Sequence, residues 1–505
     1  MNPARFNETP HLETRRNIKR VFADEIQIIA ETALHHVREG SDEFERALDP
    51  YLEKWRQNLR VYVPGLLRLC KPKRDLAVVI FIDNVDQLAP DHQAQVFLLA
   101  ERLTRVIGCV TIVSLREESY YAASVQKAFT AYSNRKFHIA SPRFRVLIGS
   151  RIAYALNVLQ RSEDDLRVIM PSGIEFDRDS IADFLKIVQT SIFQQSRTIA
   201  RLIEAVCFGN MRLALQMFTT FLMSGATDVD KMLLIFRRDG SYYVAFHEFV
   251  KSIMLGDRKY YKEEQSPIMN IFDCGAQRNS SHFTSLRTIN LLAARRGEAT
   301  PEGEGYVPIS ELLSLSEETF DNLEDCVRTL NRLVSRQLVE VNTRSTESID
   351  GAEFVRLTSA GWYYRRYLVQ AFAYLDLVLQ DTPLDDASLA ENLVQSVGRV
   401  DNLSDREEEK IERMEVRFDR VANFLGYLKV QEDEEHARLA IDPTAGPLNA
   451  LIMPDIERAF IEQRDWIRRR LQENRERFAD EPFASDEDDA VAAETVDEVT
   501  GVGDS

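Results

Sequence analysis

The sequence LAVVIFIDNVDQL, residues 76–88, decides how the rest of the chain is interpreted. Its first half is an unbroken apolar run rich in β-branched residues, which predicts a strand buried on both faces in a parallel sheet. Asp83, Asn84 and Asp86 follow directly, at the end of the strand where open α/β sheets bind their ligands. Carboxylate oxygens in that position suit Mg²⁺, which proteins usually hold partly through water. The alternative interpretation is a buried strand followed by an ordinary polar turn.

Length and composition describe a globular protein of several domains. The chain has 505 residues, of which 44% are hydrophobic and 29% charged, and about three domains are expected at this length. No stretch approaches the roughly 20 apolar residues of a membrane-spanning helix, and residues 1–20 lack the apolar segment of a secretory signal. The five cysteines are scattered, which argues against disulfides or a zinc site and favours a reducing cytoplasm.

The net charge of −18 lies mostly in the C-terminal tail. Residues 480–505 contain ten acidic and no basic side chains, which leaves −8 for the rest of the chain. This composition predicts a disordered acidic tail. The overall charge therefore says little about the ligands of the folded part of the chain.

A second strand is predicted to end beside the first. Residues 94–106 have helical periodicity, and residues 106–115 form another apolar run, so the two strands and the helix predict a right-handed βαβ unit. Ser114 and Arg116 stand at the end of the second strand. The fixed charge of a guanidinium at Arg116 suits contact with a terminal phosphate, and the alternative is a surface arginine paired with a neighbouring glutamate.

Further along, residues 137–139 predict a short third strand, and helices dominate from residue 181. The sequence FGNMRLAL at residues 208–215 predicts a turn at Gly209 and a helix N-cap at Asn210. Arg212 is then expected to project from the first turn of that helix. A solvated surface arginine is the ordinary interpretation of such a residue.

Taken in order, FIDNVDQL, TIVSLREE and GNMRLAL resemble the second half of an AAA+ or STAND-type P-loop ATPase. The closest likeness is to the origin-recognition and initiator group, in which a helical lid precedes a winged helix, and it covers residues 76–368. The resemblance implies that Asp83 is the Mg²⁺-associated Walker B acid. It also implies that Ser114 or Arg116 is sensor 1 and that Arg212 is the sensor 2 arginine. Asp86 matches the second acid of STAND proteins, three positions after the first.

Two features depart from this family pattern. Asn84 stands where AAA+ enzymes have a catalytic glutamate, and an amide can orient water but cannot accept its proton. The chain also contains no GxxxxGK[ST] loop, which would hold the nucleotide phosphates. Nucleotide binding is therefore expected to be poor, with ATP and Mg²⁺ as cofactors only where such a loop is supplied. The preferred explanation is that Met1 lies inside a longer gene, and a degenerate or split relative is the alternative.

From residue 283 the pattern resembles a winged helix, with three helices, two strands, a polar wing at residues 342–351 and the closing sequence VRLTSAGWYYRRYL. Arg328, Arg332 and Arg336 recur every four residues on the third helix, opposite its core face, and Arg344 lies on the wing. These arginines could bind DNA, with the helix in a major groove. Residues 283–369 hold more acids than bases, which is unlike a dedicated DNA binder. A packing or autoinhibitory role is the alternative.

The predicted fold class is α/β at the start, with part of a P-loop NTPase parallel sheet, and predominantly helical overall. Its parts are an NTPase core at 1–160, a helical lid and connector at 161–280, a winged-helix domain at 281–370, a helical partner-binding region at 371–479 and the tail at 480–505. Three functions remain open: an ATP-dependent switch, a winged-helix DNA-binding regulator and a noncatalytic scaffold. The C-terminal helices are expected to bind a protein partner or a second copy, and no membrane association is expected.

Overall fold

The computed structural model describes residues 14–58, 61–63, 65–66, 79–107, 109–115, 135–161, 168–169, 175–195, 197–224, 229–275, 279–343, 345, 347–403 and 407–480. These residues are predominantly helical and their strands are short, so the predicted helical majority is confirmed. The chain divides into two compact units, Met1–Lys136 (unit 1) and Phe137–Ser505 (unit 2). The finer domain boundaries stay predictions.

Unit 1 begins with three helices, α1 (Arg15–Val21), α2 (Ala23–Glu31) and α3 (Asp42–Gln57). Helix α3 starts where the Ser41 hydroxyl accepts a hydrogen bond from the Phe44 N–H at 3.2 Å, an N-cap that stabilises a helix by about 1 kcal/mol. The apolar stripes of these helices form a small core in which Phe22 and Leu48 are fully buried.

A βαβ unit follows, made of β1 (Val79–Ile82), α4 (Pro90–Ile107) and β2 (Val110–Val113). The two strands pair in parallel, with Val79 opposite Val110 and Phe81 opposite Ile112. Helix α4 packs on one face of the strands, where a threonine of α4 is hydrogen-bonded to a threonine of β2. The prediction that both faces are buried is wrong, because Val79, Phe81, Val110 and Ile112 are 44%, 72%, 53% and 43% exposed.

Unit 2 begins with an extended segment. Residues 137–139 were predicted to form a strand, and this prediction is wrong, since no strand forms there. Phe137 and Ile139 are 85% and 91% exposed. The segment contains apolar residues at strand spacing, but it has no neighbouring strand among the described residues with which to pair.

The first half of unit 2 is a helical bundle. Its helices are α5 (Phe144–Arg161), α6 (Arg178–Thr190), α7 (Arg197–Cys207), α8 (Met211–Met223), α9 (Val229–Asp239) and α10 (Phe246–Leu255). A short antiparallel pair, β3 (Val168–Ile169) and β4 (Glu175–Phe176), precedes α6. Residues 257–275, called the connector, lead from α10 to the second half.

The second half alternates helices and short strands. Its elements are α11 (Thr284–Ala294), β5 (Ala299–Thr300), β6 (Gly303–Glu304), β7 (Val307–Pro308), α12 (Ile309–Phe320), α13 (Leu323–Ser335), β8 (Val339–Val341), β9 (Phe354–Leu357) and α14 (Ser359–Arg366). Strands β7, β9 and β8 form a three-stranded antiparallel sheet in that order. Gly361 of α14 lies so close to β8 that an added Cβ would stand 2.3 Å from the Leu338 carbonyl oxygen, so the packing requires glycine there.

Four further helices complete the described part of unit 2. They are α15 (Phe372–Val378), α16 (Ala387–Asn402), α17 (Glu407–Leu439) and α18 (Met453–Asp480). The buried apolar side chains of unit 2 form one cluster that runs from Phe144 to Phe460. The bundle, the mixed region and the C-terminal helices therefore share one core. None of the described helices combines the length and the apolar content that crossing a bilayer requires.

Candidate functional site

Asp83 follows β1 directly and is the centre of the candidate site in unit 1. Hydrogen bonding from the Ser114 hydroxyl lowers the pKa of the Asp83 carboxyl below its ordinary value, and the backbone N–H of Asn84, 2.9 Å away, lowers it further. Ser114 reaches this position because its own N–H donates to the Ile82 carbonyl at 2.9 Å, which extends the parallel pairing by one step. The two residues thus meet at the carboxyl ends of adjacent parallel strands, with the carboxylate exposed and ionised at neutral pH.

Asn84 reverses the chain at the end of β1. Its φ of 58° and ψ of 26° lie in the left-handed region, which asparagine tolerates better than most residues. The 3-10 turn Val85–Gln87 comes next, with Val85 buried beneath it. Asp86 is half-buried within that turn. The tight reversal keeps both predicted water-orienting residues, Asn84 and Asp86, within one turn of Asp83.

The side chains at this edge fit a Mg²⁺ ion held partly through water. A carboxylate, a hydroxyl and an amide supply the oxygen ligands that Mg²⁺ prefers, and this ion commonly keeps several of its waters. Within the described ranges, no group of three or more His, Cys, Asp and Glu side chains is placed to hold a metal ion. Among the described residues, Asp83 offers a charged ligand at this edge, as in a site completed by water and phosphate oxygens.

Of Arg116 and Arg212, which are predicted to contact the nucleotide, the structure describes only Arg212. Arg116 and the wing residue Arg344 fall outside the residues that the structure describes. Arg212 is exposed in the first turn of α8, two residues after the N-cap Asn210, whose Oδ1 accepts from the Leu213 N–H at 3.1 Å. Arg212 belongs to unit 2, whereas Asp83 belongs to unit 1.

A contact that the sequence did not predict ties the turn before α8 to the segment before α5. The Ser141 hydroxyl donates to the Gly209 carbonyl at 2.7 Å, across a separation of 68 residues. Gly209 has a φ of 83°, a left-handed conformation that favours glycine. Nearby, the rings of Phe144 and Phe218 pack edge to face at 6.3 Å. The starts of α5 and α8 are therefore held side by side.

Arg332 is predicted to face DNA. Its side chain is only 19% exposed and is paired with carboxylates of the connector. Its Nη2 lies 2.8 Å from Glu263 Oε1, and its Nη1 lies 3.1 Å from Asp273 Oδ2. The same guanidinium donates to the Asn270 carbonyl at 3.3 Å. Neither acid was recognised from the sequence, because each lies more than fifty residues before Arg332.

The two neighbouring arginines of α13 also form ion pairs or hydrogen bonds within the protein. Arg328 pairs with the buried Asp325 at 3.1 Å, and Arg336 donates to the carbonyl oxygens of Ser266 and Glu263 at 2.9 Å and 2.8 Å. The three arginines do share one side of α13, but the connector covers that side and leaves their side chains only 19–26% exposed. Their role in binding DNA stays a prediction.

Comparisons of the chain with protein-family models, with curated proteins and with solved structures find no match. The resemblance to AAA+ and STAND ATPases therefore stays a prediction from the sequence. The case for a ligand site in unit 1 depends on the positions of Asp83, Asn84 and Ser114 at the ends of β1 and β2.

Proposed function

We propose that this protein is an ATP-dependent molecular switch of the STAND or AAA+ type, in which nucleotide and Mg²⁺ binding in unit 1 changes the interactions of unit 2. The observation that carries the proposal is the hydrogen-bonded pair of Asp83 and Ser114 at the ends of adjacent parallel strands. Ligands of open α/β sheets bind at this edge. The lowered pKa of Asp83 keeps its carboxylate charged and available to a cation.

Each residue at the edge has a role in this proposal. Asp83 would hold Mg²⁺ through water, and Ser114, as sensor 1, would orient that carboxylate. Asp86 and Asn84 would position a water beside the terminal phosphate, with Asp86 as the only one of the two that can accept a proton. Mg²⁺, when bound, neutralises charge on the phosphates.

The exposed face of β1 and β2 also supports a larger sheet. Parallel sheets are normally covered on both faces and contain more than two strands, yet Phe81 is 72% exposed. A further strand would pair with an edge of this sheet, and a phosphate-binding loop after that strand would hold the phosphates. Because no GxxxxGK[ST] occurs in the 505 residues, ATP is expected to bind this chain weakly on its own.

In unit 2 we assign residues 281–370 to a winged helix that packs inside the protein. Helices α11 to α13 and the sheet of β7, β9 and β8 support this assignment, and the occupied arginines of α13 give little support to the DNA-binding alternative. Partner binding is assigned to α17 and α18, where Val430 and Ile461 are 51% and 45% exposed. The cytoplasm suits this chain, since the four described cysteines are free thiols. A noncatalytic scaffold is the second candidate, favoured by the missing phosphate loop.

Calorimetric titration of the full chain with ATP and Mg²⁺ tests the proposal. Weak but saturable binding is expected, and Asp83→Ala should weaken it by about tenfold or more, as loss of metal-site residues commonly does. Glu39→Ala, which changes an exposed acid of the same unit, should leave it unchanged. Equal affinity in the wild type and Asp83→Ala, or no binding by the wild type at millimolar ATP, would favour the scaffold.

A further inference from the structure

Cys274 and His282 lie side by side in unit 2, where the connector ends and α11 is about to begin. The Cys274 Sγ is 3.9 Å from the His282 Nε2. Of the four cysteines that the structure describes, Cys274 alone is not buried. The scattered cysteines argue against a site made of several thiols, but a thiol paired with an imidazole needs only one.

A hydrogen bond determines which nitrogen of His282 faces the thiol. The His282 Nδ1 lies 2.7 Å from the Phe272 carbonyl oxygen, which can only accept, so Nδ1 carries the proton. Nε2 is then the nitrogen with a free lone pair, and it faces Cys274 and the Tyr427 hydroxyl, which is 3.3 Å away. Metal-binding histidines are commonly oriented in this way, by donation from the other ring nitrogen to a carbonyl oxygen.

The separation of Sγ and Nε2 fits a single metal ion between them. Zinc bonds are about 2.3 Å to sulfur and about 2.0–2.1 Å to nitrogen, so an ion bound to both at a tetrahedral angle separates them by about 3.5 Å. The observed separation of 3.9 Å is about 0.4 Å wider than this. A small movement of the half-buried Cys274 side chain closes the difference.

Asp385 stands within reach of the same point. Its N–H donates to the Tyr427 hydroxyl at 3.2 Å, and that hydroxyl in turn contacts the His282 Nε2. Asp385 is exposed, and its carboxylate forms no hydrogen bond or ion pair with any residue that the structure describes. Because exposed side chains change rotamer within nanoseconds, this carboxylate is free to turn toward an ion bound by Cys274 and His282.

The charge around the thiol suits a cation. Burial, and then the negative charges of Asp273 and Asp385, raise the pKa of Cys274 to about 11. Arg328 opposes this effect, but it is itself paired with Asp325 at 3.1 Å. Negative charges that disfavour a bare thiolate stabilise a divalent cation, and an ion that binds the sulfur displaces the thiol proton.

We propose that Cys274, His282 and Asp385 bind one Zn²⁺ ion, with water as the fourth ligand. Sulfur, imidazole nitrogen and a carboxylate oxygen form a ligand set that suits zinc, whereas Mg²⁺ takes oxygen ligands. Two of the three ligands are in place without the ion, and Asp385 completes the set when the ion binds. Tyr427 then gives up its hydrogen bond to Nε2.

The ion would tie the end of the connector to the segment before α16. Both parts belong to unit 2. The site is therefore separate from the Mg²⁺ and ATP binding proposed for unit 1, and it does not depend on that function.

The test is titration of the reduced, metal-free full chain with Co²⁺, which accepts the same ligands as Zn²⁺ and gives a thiolate charge-transfer absorption only where sulfur is bound. One equivalent of Co²⁺ should saturate the absorption, and Zn²⁺ should remove it. Cys274→Ser should abolish it, whereas the matched control Cys109→Ser, at a buried cysteine of unit 1, should keep it. No absorption in the wild type, or an absorption that survives Cys274→Ser, would overturn the site.

Asp385 is tested by Zn²⁺ affinity, measured in competition with a chromophoric chelator. Asp385→Asn should weaken binding by about tenfold or more, since loss of an outer-shell partner alone commonly costs about 10–100-fold. Glu391→Gln, which changes an exposed acid of α16, should leave the affinity unchanged. Equal affinity in Asp385→Asn and the wild type would overturn the three-ligand site. His282 is only 6% exposed and its replacement endangers the fold, so Cys274 and Asp385 are the residues to change.

Two further measurements separate this site from the one proposed in unit 1. Zn²⁺ should raise the melting temperature of the wild type but not of Cys274→Ser, because an ion that binds only the folded state stabilises it. Asp83→Ala should keep the full Co²⁺ absorption without nucleotide. Loss of the absorption in Asp83→Ala would place the ion in unit 1 and overturn this site, whereas its persistence would leave the zinc site standing even where the ATP switch fails.

Discussion

Arg332 of α13 and Glu263 of the connector form an ion pair with an N–O distance of 2.8 Å. The middle of the connector is part of the core, since Ile268, Met269, Asn270, Ile271 and Phe272 have no exposed surface. A segment buried in this way cannot leave α13 without partial unfolding. The arginines of α13 therefore hold the connector in place, and this role explains their regular spacing without DNA.

Arg332→Ala should destabilise unit 2 by about 2–4 kcal/mol, because it leaves Glu263 and Asp273 partly buried without their cation. Urea unfolding followed by circular dichroism measures this loss. Arg458→Ala, at a side chain that is 68% exposed, is the control and should cost less than about 0.5 kcal/mol.

The same helix can be tested for DNA binding directly. If α13 bound DNA, each lost phosphate contact would reduce the slope of log affinity against log salt by about 1. We expect Arg328→Ala and Arg336→Ala to leave any DNA affinity and its salt slope unchanged in fluorescence anisotropy. A reduced slope in a variant that remains folded would revive the DNA-binding function.

Asp376 of α15 is expected to set part of the acid sensitivity of unit 2. It is 1% exposed and lies 2.8 Å from Arg417 Nε and 2.6 Å from Arg420 Nε. Burial alone would raise the pKa of Asp376, but the two arginines outweigh it and hold that pKa below its ordinary value. The stabilisation is thus fully present above the unfolded pKa of about 3.9 and is lost as pH falls through the lower folded pKa.

Asp376→Asn should therefore reduce the free energy of unfolding at pH 7 by about 3–5 kcal/mol, since two arginines lose their buried counter-charge. The loss of stability between pH 5 and pH 3 should be smaller in the variant than in the wild type. Urea unfolding across this pH range measures both effects. Parallel pH profiles for the two proteins would show that the carboxylate does not contribute in this way.

His436 of α17 is expected to make the stability of unit 2 depend on pH near neutrality. Burial lowers its pKa, and the charge of Arg287 lowers it further, although Glu435 and Asp433 oppose this effect. The unfolded chain takes up a proton on this side chain below about pH 6.5, and the folded chain does so only at lower pH. Stability should therefore fall as pH drops from 7 toward the folded pKa.

His436→Leu should flatten that pH dependence between pH 7 and pH 5. It should not remove the dependence, because burial also lowers the pKa of His282, which both proteins retain. Unfolding free energies at pH 7, 6 and 5 measure the two slopes. An unchanged slope would show that His436 is protonated equally in both states.

The features that depend on local sequence were the ones that could be predicted. The strand before Asp83 and the turn at Gly209 depend on neighbouring residues, and the structure contains both. Glu263, the partner of Arg332, lies 69 residues before it, and Gly209, the partner of Ser141, lies 68 residues after it. Hydrophobic periodicity describes neighbouring residues only and cannot predict contacts over such separations. The exposure of Phe81 was missed because an apolar run shows that a strand can be buried but not whether both of its faces are covered.

Mn²⁺ binding in the presence of ATP, followed by electron paramagnetic resonance, tests the central claim most directly, since Mn²⁺ substitutes for Mg²⁺ at oxygen ligands. The account predicts one saturable Mn²⁺ site in the wild type, weakened by about tenfold or more in Asp83→Asn and unchanged in Glu39→Gln. Equal Mn²⁺ affinity in the wild type and Asp83→Asn would contradict it.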